Sequence, residues 1–464
     1  MNDLNPIVPS KEDVLSWIKK ICDMGYRKPG SEADHQVEDY LIQVLKEFGV
    51  PEIIREDMEV PIWEPENWKL EIEINQKKQE IPSFFLVYTE FTDSSGITGE
   101  LVNVLTGRET DFQKNDVKGK IAVIDFRNPP LNITPLLNSA LYVHDPGDTI
   151  PVKTHPATFL YVNWEAFYRA YENGAIGVVG IPKDHPGGLK EYFFPADNTA
   201  SDPRPIPGLY IGRDDGKELK KLIRNNKNKA VKGTIIQTGK KSQGTTSNIF
   251  GFIPGKTDDI ILISSHHDAP YNNAVQDASG LGIVLALAKY FAQFPQGTLN
   301  KTLLFLFTAG HFYEEIGGKV FVEEHKKDLL PKIVTSIHIE HIAKEYLERD
   351  GEIVSTGFPE PRAVFVTDRE PITSSVKNAV IKHDLQRLIL LPTENPLGGV
   401  PTDGRPFFDE NLPVISYASA PFYIYNPIDT MDKLAVAEFE PLTNAFIDII
   451  QSVDKVSRKQ LGLN

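Results

Sequence analysis

The chain has 464 residues, enough for two or three domains, and its 41% apolar and 24% charged residues are the composition of a globular protein with a sizeable core. Its formal charge of −15 argues against nucleic acid or an anionic membrane as the main partner, because both require a basic face. One cysteine, Cys22, rules out an intramolecular disulfide and a cysteine metal cluster, and its place beside Ile18 and Ile21 reads as a packed thiol.

Met1 to Pro9 is polar, with no secretory leader, and no stretch approaches a membrane span, so a cytoplasmic location is expected. Ser10 with Asp13 predicts a capped helix through Val14, Trp17, Ile18 and Ile21. Ser31 with Asp34 repeats the device before a helix from Val37 to Phe48, which Gly49 ends. Leu70, Ile72 and Ile74 alternate with charged residues, as in a half-buried strand. Gly99–Val104 and Lys120–Asp125 predict short strands, and Trp164–Glu172 a helix leading into Gly174–Gly180. A loop rich in Pro and Gly follows, over 182–207.

From about Thr245 buried strands alternate with helices. Ile260–Ser264, Lys301–Thr308, Lys332–Ile339 and Val414–Tyr417 read as strands, and Leu281–Phe291 as a helix. This order predicts an α/β fold with a mostly parallel sheet and its site at the carboxyl ends of the strands. Gly280-Leu-Gly282 lacks the full dinucleotide fingerprint and reads as close packing. The charged run Glu323–Lys327 reads as a solvated helix face.

Five of the eleven histidines fall at strand ends: His266, His267, His311, His338 and His341, with Asp268 and Glu340 among them. A lone histidine is most often a surface or hydrogen-bonded residue. Three strands delivering imidazole or carboxylate to one sheet edge point instead to a metal site suited to zinc or iron. No G-x-S-x-G, Walker loop or H-E-x-x-H is present.

At Ser247-Asn-Ile-Phe-Gly-Phe-Ile-Pro-Gly255, Ile261-Leu-Ile-Ser-Ser-His-His-Asp268 and Asp277-Ala-Ser-Gly280, the chain resembles the co-catalytic zinc aminopeptidase family. That family includes aminopeptidase Y, glutamate carboxypeptidase II and the transferrin receptor ectodomain. Gly99-Glu-Leu-Val, Val117-Lys-Gly-Lys-Ile-Ala-Val-Ile and Asn173-Gly-Ala-Ile-Gly-Val-Val look like the protease-associated domain that such members carry, and Pro401-Thr-Asp-Gly-Arg-Pro-Phe-Phe and Asn426-Pro-Ile-Asp-Thr also match in place. The resemblance implies a parallel-sheet peptidase sandwich over 1–95 and 241–464, with a β-rich protease-associated domain inserted over 96–240.

It also implies a site for two zinc ions. His266 would be one ligand, with Asp268 as its orienting carboxylate. The metal-bridging aspartate position holds Gln276, with Asp277 its neighbour. The Glu-Glu position, general base and ligand, holds His311 and Phe312 without gaps. A register shifted by three residues offers Glu314-Glu315 instead, at the loss of the match to Gly317-Gly318. Glu340 keeps an acidic ligand position, and Tyr425 stands at the last histidine.

These departures predict a rebuilt, mononuclear site of His266, His311 and Glu340, with His341 as an optional fourth ligand. One divalent ion per chain is expected, zinc ahead of iron. His267 or His341 would carry protons, and Tyr425 would hydrogen-bond an oxyanion. Packing for Tyr425 and a solvent-facing ring for His267 are their bland readings, and His338 reads as a hydrogen-bonded core residue. Gln276, Asp277 and Asp403 would face substrate, although Asp403 could merely cap a turn. The expected activity is hydrolysis of an amide or peptide-like C–N bond in a small substrate. The alternatives are an iron-dependent lyase or oxygenase and a silent binding scaffold. A homodimer is compatible with related scaffolds.

Overall fold

The computed structural model describes residues 6–157, 162–193, 204–226 and 229–463. Residues 1–5 of the polar N-terminus and 194–203 of the Pro- and Gly-rich loop lie outside the described residues. The fold is mixed α/β, built on one large sheet.

Eight strands build the larger part of the sheet: β1 (Glu52–Ile74), β2 (Lys232–Ile253), β3 (Ile260–His266), β4 (Thr302–Thr308), β5 (Ile333–Ile339), β6 (Arg362–Val366), β7 (Leu388–Pro392) and β8 (Val414–Ser419). The order across the sheet is β2-β4-β3-β5-β8-β6-β7. β4, β3, β5 and β8 run parallel, as do β6 and β7. The pairs β2–β4 and β6–β8 are antiparallel. Continuous apolar runs are needed in the central strands because both faces are covered. Ile261 and Ile263 of β3, with Leu303, Phe305 and Phe307 of β4, pack on one side, where Lys11–Asp23, Glu32–Phe48, Gly280–Phe291 and Phe439–Asp454 form the helical layer. Ile260, Leu262, Leu304 and Leu306 alternate to the other side against Phe321 and Phe407.

The same sheet continues into a smaller parallel set: Ile97–Asn103, Ile121–Phe126, Gly177–Pro182 and Gly208–Ile211. It has its own core of Leu101, Ile121, Val179 and Leu209, with Leu70, Ile72 and Ile235 from β1 and β2. β1 and β2 form an antiparallel ribbon registered from Glu52↔Phe252 to Glu73↔Lys232, so it spans both parts. The expected strand at Leu70–Ile74 is thus the end of a longer one.

Local signals act as expected at several ends. Ser10 and Asp13 form a reciprocal capping box. Ser31 caps the second helix, but Asp34 turns inward to accept from Gly30 N and Thr246 Oγ1. Gly49 closes that helix at φ 84°, the left-handed conformation glycine tolerates. A Cβ on Gly280 would lie 2.3 Å from Ile339 O, so this residue is glycine for close packing. Cys22 is buried, donates to Asn273 O, and its thiol is pushed up to about 11 by burial. Among the described residues no helix is long and apolar enough to cross a membrane.

Leu304 is fully buried in the central strand β4. Leu304→Ala is expected to lower the unfolding free energy by about 2–5 kcal/mol, measured by urea denaturation. A loss under about 0.5 kcal/mol would mean that this layer does not hold the sheet.

Candidate metal centre

His266 ends β3, and its neighbours fix how the ring is used. Nδ1 lies 3.0 Å from Asp268 O and 3.4 Å from the Asp268 carboxylate, so Nδ1 carries the proton and Nε2 keeps its lone pair. Asp268 also accepts the backbone N–H groups of His311 (3.0 Å) and Phe312 (3.2 Å) at the end of β4. Burial would raise its carboxyl, but the hydrogen bond and charge of His266 outweigh this and hold it below the usual range.

His341 follows β5 and Glu340, with φ 59°, a left-handed conformation that is strained for a non-glycine residue. Asp277 accepts its backbone N–H at 3.0 Å. Its Nδ1 donates to Ser419 O at 2.8 Å, while its buried Nε2 has no hydrogen-bond partner. Burial, then the charges of His266 and His311, push the ring down to about 3, so it is neutral. Potential donor atoms of His266, Glu340 and His341 lie within 4.8 Å of one another. Burial drives the Glu340 carboxyl well above its ordinary value, aided by the charges of Asp403 and Asp277. Two imidazoles, each held at Nδ1 by a backbone carbonyl, and one carboxyl group form a donor set that fits zinc or ferrous iron.

His311 stands differently from the expectation. A second group of potential donors, His266, His311 and Asp403, meets the same distance limit. Yet the His311 ring stacks on His266 with centroids 4.2 Å apart and planes 8° from parallel. An ion at bonding distance lies near the plane of each ligand ring, and two stacked planes have no common point there. The stacking thus sets His311 apart from the arrangement of His266 with Glu340 and His341. His311 Nδ1 instead pairs with Asp403 Oδ1 at 2.6 Å. Burial opposes its charge, but the charge and hydrogen bond of Asp403 win and raise it to about 10. Asp403 also accepts from Thr308 Oγ1, and its backbone N–H donates to Glu340. It therefore does more than cap a turn.

Other expected residues are placed as follows. Gln276 is buried, with Nε2 3.1 Å from His266 Nε2 and Oε1 unpartnered. Asp277 is fully buried and bonded to Ser265 Oγ and His341 N, so it positions the site and is not exposed to a substrate. His267 is neither solvent-facing nor beside the other histidines. Its Nε2 bonds Ser247 O at 2.9 Å, and its Nδ1 lies 3.1 Å from Asp34 Oδ1. One nitrogen is bonded to a backbone carbonyl and the other faces a buried carboxylate, so neither is free to carry protons at the centre. His338 is buried against Phe407 with neither nitrogen hydrogen-bonded, contrary to the expected bonded core histidine. Tyr425 is buried against Phe312 and Tyr192, and burial, then the charges of Glu340, Asp403 and Glu315, raise its hydroxyl. Glu314 and Glu315 adopt φ 64° and 58°. Glu315 is half-buried, and its carboxyl is raised to about 7 by burial and then by the charge of Asp403.

Two site-building residues carried no recognisable signal or an unused one. Buried Arg27 donates to the carbonyls of His267, Asn273 and Gln276, strapping the loop after β3, and nothing in its local sequence marks it. Asp429 accepts the N–H groups of Val275 and Gln276, both at 2.9 Å, and lies inside the Asn426-Pro-Ile-Asp-Thr segment. A mainly apolar cavity of about 60 Å³ has Ser419, Pro401, Leu131, Phe365, His155 and Glu360 among its walls, and Ser419 is also the residue whose carbonyl accepts from His341.

This strand-end placement can be set beside known proteins. Residues 248–450 match Peptidase family M28. The Peptidase M28 precursor of Shewanella amazonensis SB2B superposes with a TM-score of 0.71 at 19% identity, over 96% of this chain and 94% of that one. A zinc aminopeptidase from Bacillus subtilis gives 0.69 at 16%, over 97% and 98%. An aminopeptidase from Aneurinibacillus sp. strain AM-1 gives 0.65 at 17%, over 96% and 93%. These likenesses show the M28 aminopeptidase fold along nearly the whole chain. No curated protein matches it.

The His267–Asp34 pair makes a pH prediction. Burial lowers His267, but the hydrogen bond and charge of Asp34 outweigh it and raise the ring to about 9, above its unfolded value. The resulting stabilisation, at most about 3 kcal/mol, is complete below about pH 6.5 and lost as pH rises through 9. Wild-type unfolding free energy should therefore fall from pH 6.5 to 9, and His267→Gln should fall less steeply. Parallel denaturation curves would show that the pair stores no such energy.

Proposed function

We propose that this chain is a metal-dependent hydrolase of an amide or peptide-like C–N bond in a small substrate, with one divalent ion, zinc, held by His266, Glu340 and His341. The match to Peptidase family M28 and the aminopeptidase fold support a metal-dependent peptide hydrolase. The observation that carries the mononuclear reading is the orphaned, buried Nε2 of His341, beside His266 and Glu340. A neutral imidazole oriented at one nitrogen and unpartnered at the other is prepared for a ligand.

When bound, the ion would supply Lewis acidity to water or to a substrate carbonyl. Asp268 and Ser419 hold the two rings in the required tautomer. Glu315, with its carboxyl near 7, is suited to exchange a proton at neutral pH. His311, kept charged by Asp403, and the Tyr425 hydroxyl favour negative charge on a substrate oxygen. The cavity beside Ser419 seats an apolar group of the substrate. The satellite layer is assigned the protease-associated role of covering the cleft.

Elemental analysis should find about one zinc per chain, lost in His266→Ala and His341→Ala. His311→Ala should keep the metal and lose about 100-fold or more in hydrolysis of peptide amides. Two ions per chain that survive His341→Ala would restore a two-metal site. One ferrous iron with oxygen-dependent turnover would favour non-hydrolytic chemistry, and no metal after reconstitution a silent scaffold.

A further inference from the structure

Gln276 is fully buried beside the centre, and its backbone is held on both sides. Its N–H donates to Asp429 Oδ2 at 2.9 Å, and its carbonyl accepts from Arg27 at 3.2 Å. With the main chain fixed, the side chain has few places to go. Its amide nitrogen lies 3.1 Å from Nε2 of His266, and its carbonyl oxygen Oε1 is buried without a hydrogen-bond partner.

Nδ1 of His266 is turned to Asp268, so Nε2 is the nitrogen with the lone pair, the one that would face an ion. The Gln276 amide donates to that same lone pair. A buried carbonyl oxygen without a donor is costly, so its position marks an atom kept for a partner outside the chain. Two donor atoms bound to one zinc ion near the tetrahedral angle, each at about 2.0–2.2 Å, lie roughly 3.3 Å apart. The 3.1 Å between His266 Nε2 and the near atom of the amide is close to that spacing. Half a turn of the amide exchanges its nitrogen and oxygen within nearly the same volume. Two lone pairs then face each other, an arrangement that repels without a cation and suits one with it. An amide has one oxygen to offer and no charge, which fits a site for a single ion.

We propose that Gln276 serves the centre in two states. In the metal-free protein its amide nitrogen caps Nε2 of His266. In the loaded protein its carbonyl oxygen is a fourth donor beside His266, Glu340 and His341. This role rests on the mononuclear metal reading. It makes Gln276 a residue of the centre and not of the substrate surface, and loading requires the amide to release His266.

The test is metal affinity. The metal-free full chain is titrated with zinc against a chromophoric chelator, and the visible spectrum of the cobalt-loaded form reports the donor set. Gln276→Ala should bind zinc about tenfold or more weakly than the wild type and shift the cobalt bands. Gln276→Glu, which keeps an oxygen at the same reach, should bind at least as tightly as the wild type. In the metal-free protein, the NMR resonance of His266 Nε2 should move in Gln276→Ala toward that of an imidazole nitrogen with no donor. Zinc affinity in Gln276→Ala equal to or above that of the wild type would overturn the ligand role. So would a loss that Gln276→Glu fails to restore, because the side chain would then serve packing alone. An unmoved His266 resonance would overturn the cap. A wild type that binds zinc and hydrolyses no peptide amide removes the hydrolase reading and leaves this role standing. A wild type that binds no zinc removes both.

Discussion

The buried carboxylate of Asp268 ties together the ends of two parallel strands. It lies beside the Nδ1 of His266 on β3 and accepts two successive backbone N–H groups where β4 gives way to its loop. A carboxylate with this many donors has one stable position, so ring orientation on one strand and loop direction on the other are set together. Asp277 repeats the device across the next pair: it joins Ser265 of β3 to the backbone of His341 beyond β5. Asp429 does the same for the loop carrying Gln276. The centre is thus suspended from three acidic residues that do not touch a substrate.

Several buried carboxyl groups meet in this region. Asp268, Asp277, Glu340, Asp403 and Asp429 are all buried, with Arg27, His267 and His311 as the nearby basic groups. Asp277 and Asp429 are driven to about 7, and Glu340 is also strongly raised. Burial is the largest cause of each rise. A divalent ion there would favour the ionised carboxylates and give His341 Nε2 a partner.

Much of this was legible from local sequence. Buried apolar runs marked β3, β4, β5 and β8, and strand-end chemistry placed His266, Asp268 and Glu340 at one edge. The His311–His266 relation was not legible, because sequence fixes a residue's place in a strand and not the plane of its ring. The vacant nitrogen of His341 depends on Ser419, 78 residues away. His267 was misread for a similar reason: alternation separates it from His266, but its partner Asp34 comes from a helix near the N-terminus. Arg27 acts on carbonyl groups far along the chain, and no periodicity announces such contacts.

The β1–β2 ribbon carries a mechanical consequence. Its strands are hydrogen-bonded partners along nearly their entire length, anchored at one end in the satellite core and at the other beside β4. Trp63 sits partway along, pairing with Lys241, and forms a wall of a recess next to Lys28. The pairing shifts register between Pro65 and Asn67, between this indole and the satellite core, so the ribbon is interrupted where its two ends meet different cores.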